Sequence, residues 1–244
     1  MNSNTQPRKI LILAANPSGL RLDQEIREIE DAIQRAIRRD HFQIVTRQAV
    51  RPKDIRRSIA EERPEIVHFC GHGTEDGSLI LEDDGGQRKL VKPEGLAALF
   101  ELHADYVDCV LINACHSEKP AEAISQHINY VIGMNQAVND KTAIKFAEGF
   151  YDALGYDAQD NKEEFQRAFN EGIVAIKLEG LPGASIPVIK KNKEEIIKAD
   201  RELMAQVNPQ KAAMSKYNTQ IHGNVQGFIQ GDNAQVEMTF RDKP

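Results

Sequence analysis

The sequence has no tryptophan, and only three of its 244 residues are cysteine: Cys70, Cys109 and Cys115. Three thiols make no disulfide framework, so the expected compartment is a reducing cytoplasm. No CxxC occurs and no histidine pair is read as a metal motif, so no metal site and no cofactor are expected. Apolar runs long enough to span a membrane are missing, as is a signal-peptide pattern at the polar amino end; no membrane partner is expected. An excess of positive charge is missing too. With 31 Lys and Arg against 37 Asp and Glu, the net charge is -6, which argues against a general nucleic-acid binder. The local cluster Arg35, Arg38, Arg39, Arg51, Lys53, Arg56 and Arg57 reads as a solvated helical face.

What remains is a chain long enough for one sizeable domain with a full core, plus appendages. Residues 1–7 are polar and expected to be disordered. Residues 9–15 (KILILAA) form an apolar run too short for a helix, which reads as a buried parallel strand. Asn16-Pro17-Ser18-Gly19 turns the chain, and Leu22, Ile26, Ile29, Ile33 and Ile37 then make one stripe of an amphipathic helix. Strands are expected at 42–49, 65–70, 107–112, 130–134 and 186–189. Helices are expected at 52–62, from Pro93, after Pro120, from Asp140 to a closing Gly155, and around 165–176. Leu79–Leu81 and 88–91 flank Asp83-Asp84-Gly85-Gly86, a hairpin signal. Alternation of strand and helix implies an α/β sandwich with a mainly parallel sheet covered on both faces. Near Lys190 the composition changes: residues 191–216 read as a charged helical linker, with Asn192 and Glu195 spaced like a capping box.

Two strands end in reactive residues. HFCGHG (68–73) delivers His72, and LINACHS (111–117) delivers Cys115, 43 residues later. In open α/β sheets ligands bind in the crevice beyond the carboxyl ends of the strands. A thiol there, a neighbouring imidazole to take its proton and backbone amides for the oxyanion make a nucleophilic site. Cys115 is the candidate nucleophile and His72 the candidate base, with the amides of Gly73 and Cys115 as oxyanion donors. Asn113 and Asp140 are candidates for substrate contact, Asp140 having the alternative role of helix cap. His116 adjoins the nucleophile but projects differently, which makes it the weaker candidate base. His68 reads as a packed, satisfied histidine, and Cys70 and Cys109 as buried structural residues.

These motifs, with Asn16-Pro17, Leu22-Asp23-Gln24-Glu25-Ile26, Val131-Ile132-Gly133-Met134 and Ala147-Glu148-Gly149-Phe150-Tyr151, resemble the CHAT family of caspase-like cysteine peptidases over residues 8–190. The 43-residue separation is close to the roughly 50 residues of the caspase order, histidine before cysteine. The resemblance implies a caspase-like three-layer sandwich, His72 as base and Cys115 as nucleophile; the family usually has serine at the position of Cys70. A protein substrate is implied, and members of this clan often cut after Arg or Lys, for which Asp140 is the candidate carboxylate. A catalytically idle adaptor on the same scaffold is the alternative.

The last segment, 217–244, is rich in Asn, Gln and Gly. Val236, Met238 and Phe240 alternate with Glu237, Thr239 and Arg241, which is the period of a strand with one apolar face. FIQGDNAQV (228–236) resembles bacterial amyloid-signalling motifs related to RHIM sequences, although it departs from a strict RHIM core. The expectation is a short β-prone tail whose residues 217–241 mediate self-assembly or recruitment to a STAND- or NLR-like sensor.

Overall fold

A computed structural model describes residues 7–15, 22–156 and 163–192. The expectations for the linker beyond residue 192, the tail, the amino terminus before residue 7 and the 16–21 turn lie outside the described residues. Contacts divide the chain into Met1–Lys193 and Glu194–Pro244, and only the first unit is described below.

Strands β1 (Arg8–Ala14), β2 (Phe42–Gln48), β3 (Ile66–Cys70), β7 (Cys109–Asn113), β8 (Tyr130–Met134) and β9 (Pro187–Lys191) form one sheet, in the order β2-β1-β3-β7-β8-β9. All neighbours are parallel except β9, which runs antiparallel to β8 and closes the edge. A second, three-stranded sheet joins β4 (His72–Gly73), β5 (Leu79–Glu82) and β6 (Arg88–Val91), the hairpin the turn residues foretold. In its turn Asp83 Oδ1 accepts the amides of Gly85 and Gln87, and Gly86 takes a φ of 73°.

The apolar runs have no polar face because both faces of the sheet are covered. On one face Ile10, Ile12, Ile66, Leu111 and Ile132 pack under α1 (Leu22–Arg35), α5 (Asp140–Tyr156) and α6 (Glu164–Leu178). On the other, Leu11, Leu13, Val67, Phe69, Val110 and Val131 pack under α2 (Pro52–Glu62), α3 (Pro93–Glu101) and α4 (Glu118–Ile124). The strict alternation along each strand sorts the two cores. It also places His68, Cys70 and Asn113 on the α1/α5 side.

Three expectations are corrected. Ile37 does not extend the inward stripe of α1, because the helix ends at Arg35 and Ile37 is 78% exposed. Asp140 is the first residue of α5 and not its cap; Asn139 Oδ1 takes that role by accepting the Thr142 amide at 2.9 Å. Gly155 does not close α5, which runs on to Tyr156. It lies against the end of α1, where a Cβ at position 155 would stand 2.3 Å from the Cβ of Ala36. We therefore expect Gly155→Ala to force α1 and α5 apart and lower stability by about 1–3 kcal/mol. Urea unfolding would measure this, and an unchanged midpoint would contradict so close an approach.

Candidate active site

Both reactive residues leave the sheet through backbone contacts that tolerate little change. At the end of β3 the Ala15 amide donates to the carbonyl of Cys70 (2.9 Å), and the Gly71 amide donates to that of Asn113 (3.3 Å). The chain then crosses into β4, where His72 and Gly73 pair with Ile80 and Leu79. The tight turn that follows is held by Asp76, which accepts the amide and hydroxyl of Ser78, and Gly77 sits at a φ of 88°. The Thr74 hydroxyl, which also donates to Asp76, and then these two donors hold the Asp76 carboxyl below the usual carboxylate range. His72 is thus carried by the small sheet, while Cys115 follows the central strand β7 of the large one.

After Asn113 the chain must turn at once to present the thiol. His116 takes a left-handed φ of 55°, and its amide donates to the carbonyl of Gln136 (3.3 Å). Ser117, fully buried, is the staple: its hydroxyl donates to the Ile112 carbonyl and accepts the Met134 amide, each at 2.8 Å. It thereby joins β7 to β8 just beyond Cys115. Gly73 faces the carbonyl of Cys115 so closely that a Cβ would lie 2.0 Å from that oxygen. The absent side chain at position 73 lets the chain segment bearing His72 approach the one bearing Cys115.

The two motifs meet at one cleft of about 40 Å³, lined by His72, Asn113, Cys115 and Asp140 together with Glu25, Val138 and apolar residues of α1 and α5. The Cys115 thiol donates to the carbonyl of Val138 at 3.7 Å. Burial pushes the pKa of His72 below its ordinary value of 6.5; the charge of Arg88 on β6 pushes the same way, and that of Asp140 opposes. A neutral imidazole at neutral pH follows, which is the form a base requires. His116 is not among the residues lining the cleft.

Under the cleft lies a buried polar group. Glu25, 4% exposed, accepts from Asn113 Nδ2 at 2.6 Å, and its Oε1 lies 3.0 Å from His68 Nε2. A carboxylate only accepts, so the His68 proton sits on Nε2, and in the neutral ring Nδ1 accepts from the Tyr151 hydroxyl at 3.0 Å. His68 is thus packed and satisfied, as expected. Asn113 Nδ2 also donates to the Ala143 carbonyl (3.1 Å), while its Oδ1 is buried without a hydrogen-bond partner. Cys70 and Cys109 are buried, and burial pushes both thiols well above their ordinary pKa; the Glu25 carboxylate adds to the effect at Cys70. Sequence reasoning missed Glu25, Tyr151, Ser117 and Val138. Glu25, Ser117 and Tyr151 lie inside stretches that carry the family resemblance, but nothing in those stretches assigned them a role; Val138 left no signal.

Because Arg88 lowers the basicity of His72 and Asp140 raises it, the two have opposite mutational signs. In a Cys115→Ala background, NMR titration should place the His72 midpoint below 6.5. Arg88→Gln should move it up and Asp140→Asn down; a shift of the opposite sign in either variant would refute this electrostatic account.

The sequence profile of the CHAT domain matches residues 2–168. A protein from Gillisia limnaea named "Probable protease" is 25% identical over 155 residues, which cover 60% of this chain and 27% of that protein. The chain thus spans little more than a quarter of this relative's length. Among solved structures, caspase-1 from Spodoptera frugiperda superposes with a TM-score of 0.52 at 14% identity, covering 78% of this chain and 88% of the caspase. The Saccharomyces cerevisiae separase–securin complex gives a TM-score of 0.45 at 16% identity, with 77% of this chain and 12% of that one covered. By its superposition on the caspase, the sandwich described above is of caspase-like fold.

Proposed function

The chain belongs to the CHAT family, and from that premise we propose that it is a cysteine endopeptidase with Cys115 as nucleophile and His72 as base. The observation that carries the reading is the convergence of His72, two residues past the end of β3, and Cys115, two residues past the end of its neighbour β7, on one cleft. In the proposed reaction His72 takes the thiol proton and the Cys115 sulfur attacks the scissile carbonyl. The amides of Gly73 and Cys115 receive the oxyanion. His72 then returns the proton to the leaving amine, and water hydrolyses the thioester. In the resting arrangement the thiol faces the Val138 carbonyl, so attack requires it to turn from the 135–139 loop. A cleft of about 40 Å³ holds a few waters and no long side chain, so substrate entry requires that loop to yield as well.

The substrate class we propose is a protein chain cut after Arg or Lys. Supporting it are Asp140, an exposed carboxylate on the cleft, and Asn113, which also lines it. We further propose a regulated bacterial effector of stress or antiviral defence, acting in the cytoplasm and recruited through residues 217–241. Its support is the composition of that segment, which can align Asn and Gln side chains between identical chains or with a matching motif on a sensor.

A peptidyl electrophile separates this enzyme from a scaffold that binds without cutting: it should modify Cys115 in the wild-type chain. Loss of Cys115 should abolish cleavage, and His72→Ala should slow it by on the order of 10²–10⁴. His116→Ala should cost less than about tenfold. An unlabelled Cys115 would leave the scaffold reading standing, and normal cleavage by His72→Ala would unseat the base.

Specificity is tested separately with a peptide library. Since Asn139 and not Asp140 caps α5, Asp140→Ala should weaken cleavage after Arg and Lys while leaving the melting temperature nearly unchanged. A wild-type preference for acidic or apolar residues would remove the assignment.

A further inference from the structure

The polar group beneath the cleft contains three ligand types that nothing in the proposed reaction uses together. The Glu25 carboxylate, the His68 imidazole and the Cys70 thiol place one ligating atom each within 4.8 Å of the other two, and all three residues are buried. They come from two elements, α1 and β3. His68 and Cys70 point the same way because they are two apart on a strand. No short sequence motif announces such a set, which is why the absence of a CxxC or a histidine motif gave an expectation of no metal.

We propose that Glu25, His68 and Cys70 form a binding site for a divalent transition-metal ion, zinc by preference, separate from the pair that does the cutting. A mixed oxygen, nitrogen and sulfur set suits zinc and excludes magnesium or calcium, which take oxygen ligands. Zinc bond lengths imply ligand–ligand separations of about 3.3–3.8 Å in a tetrahedron, so the side chains need only small adjustments. Charge is balanced: one carboxylate and one thiolate neutralise a divalent cation, leaving no net charge where water is excluded.

Two features of the surroundings fit a metal. His68 Nδ1 already faces the Tyr151 hydroxyl at 3.0 Å, the kind of partner that orients a ligating imidazole. Asn113, joined to Glu25 at 2.6 Å, keeps its buried Oδ1 without a partner, an acceptor at hand for the fourth position or for a water that fills it. Entry is from the cleft, since Glu25 lines it. Binding proceeds with one proton released: the Cys70 S–H bond breaks as the sulfur–metal bond forms. The His68 proton moves from Nε2 to Nδ1 as the Tyr151 O–H, until then the donor to Nδ1, turns away from the ring and its oxygen becomes the acceptor; Glu25 exchanges the His68 N–H for the metal. The ion then fixes Glu25 and Asn113, two residues of the cleft.

Cobalt(II) added to the full-length Cys115→Ala protein tests the site with the catalytic thiol removed. One equivalent should bind with a near-ultraviolet thiolate-to-cobalt band that zinc abolishes. In that background Cys70→Ser should lose the band and Cys109→Ser keep it. Glu25→Gln should weaken binding by about tenfold or more, and Tyr151→Phe by about 10–100-fold, with circular dichroism confirming the fold of each. Absence of the band from the Cys115→Ala protein, or its persistence in Cys70→Ser, overturns the proposal. If Cys70→Ser does not fold, Glu25→Gln carries the test, and unchanged cobalt affinity in it is equally fatal.

Discussion

A carboxylate removed from water must be met by donors, and Glu25 is met from two sides. His68 supplies one from β3, and Asn113 supplies another from β7. Tyr151 extends the chain of hydrogen bonds to α5. One buried acid on α1 therefore ties together the helix, both strands that end at the cleft and the helix behind them. Such groups are costly to leave half-satisfied, so the relative positions of these elements are tightly specified where the reactive residues emerge. The apolar cores on the two faces supply most of the cohesion, but they are tolerant of small slips. The polar group is not.

The second constraint is that His72 and Cys115 are carried by different sheets. Cys115 follows a strand with neighbours on both sides, and Ser117 stitches the turn beyond it to β8. His72 belongs to a two-residue strand of the small sheet, which is anchored in the core by Leu79 and Leu81. Gly73 is where the two structures touch. Its lack of a side chain is thus a statement about registration between sheets, and the left-handed backbone of His116 is the matching concession on the other side.

Much of this was legible in the chain. The bounds 52–62 and 130–134 were read correctly because proline at a first turn and a short apolar run bounded by polar residues leave few alternatives. His72 and Cys115 stood out because each follows such a run and is flanked by small residues. What escaped has a common cause: it depends on residues distant in sequence. Asp140 and Asn139 are both good caps in isolation, and only the path of the 135–139 loop chooses between them. Gly155 looked like a helix terminator because its neighbour, Ala36, is 119 positions away. Glu25 had no role of its own in the sequence until the strands behind it were placed.

Finally, the environment of His72 has two kinds of contributor. Arg88 and Asp140 are exposed, so dissolved ions reach both, and their opposing effects shrink together as ionic strength rises. Burial, the largest influence on the imidazole, is not screened by salt. An imidazole governed in this way keeps nearly the same proton affinity at low and at high ionic strength, because what sets it is the part of its surroundings that counterions do not enter.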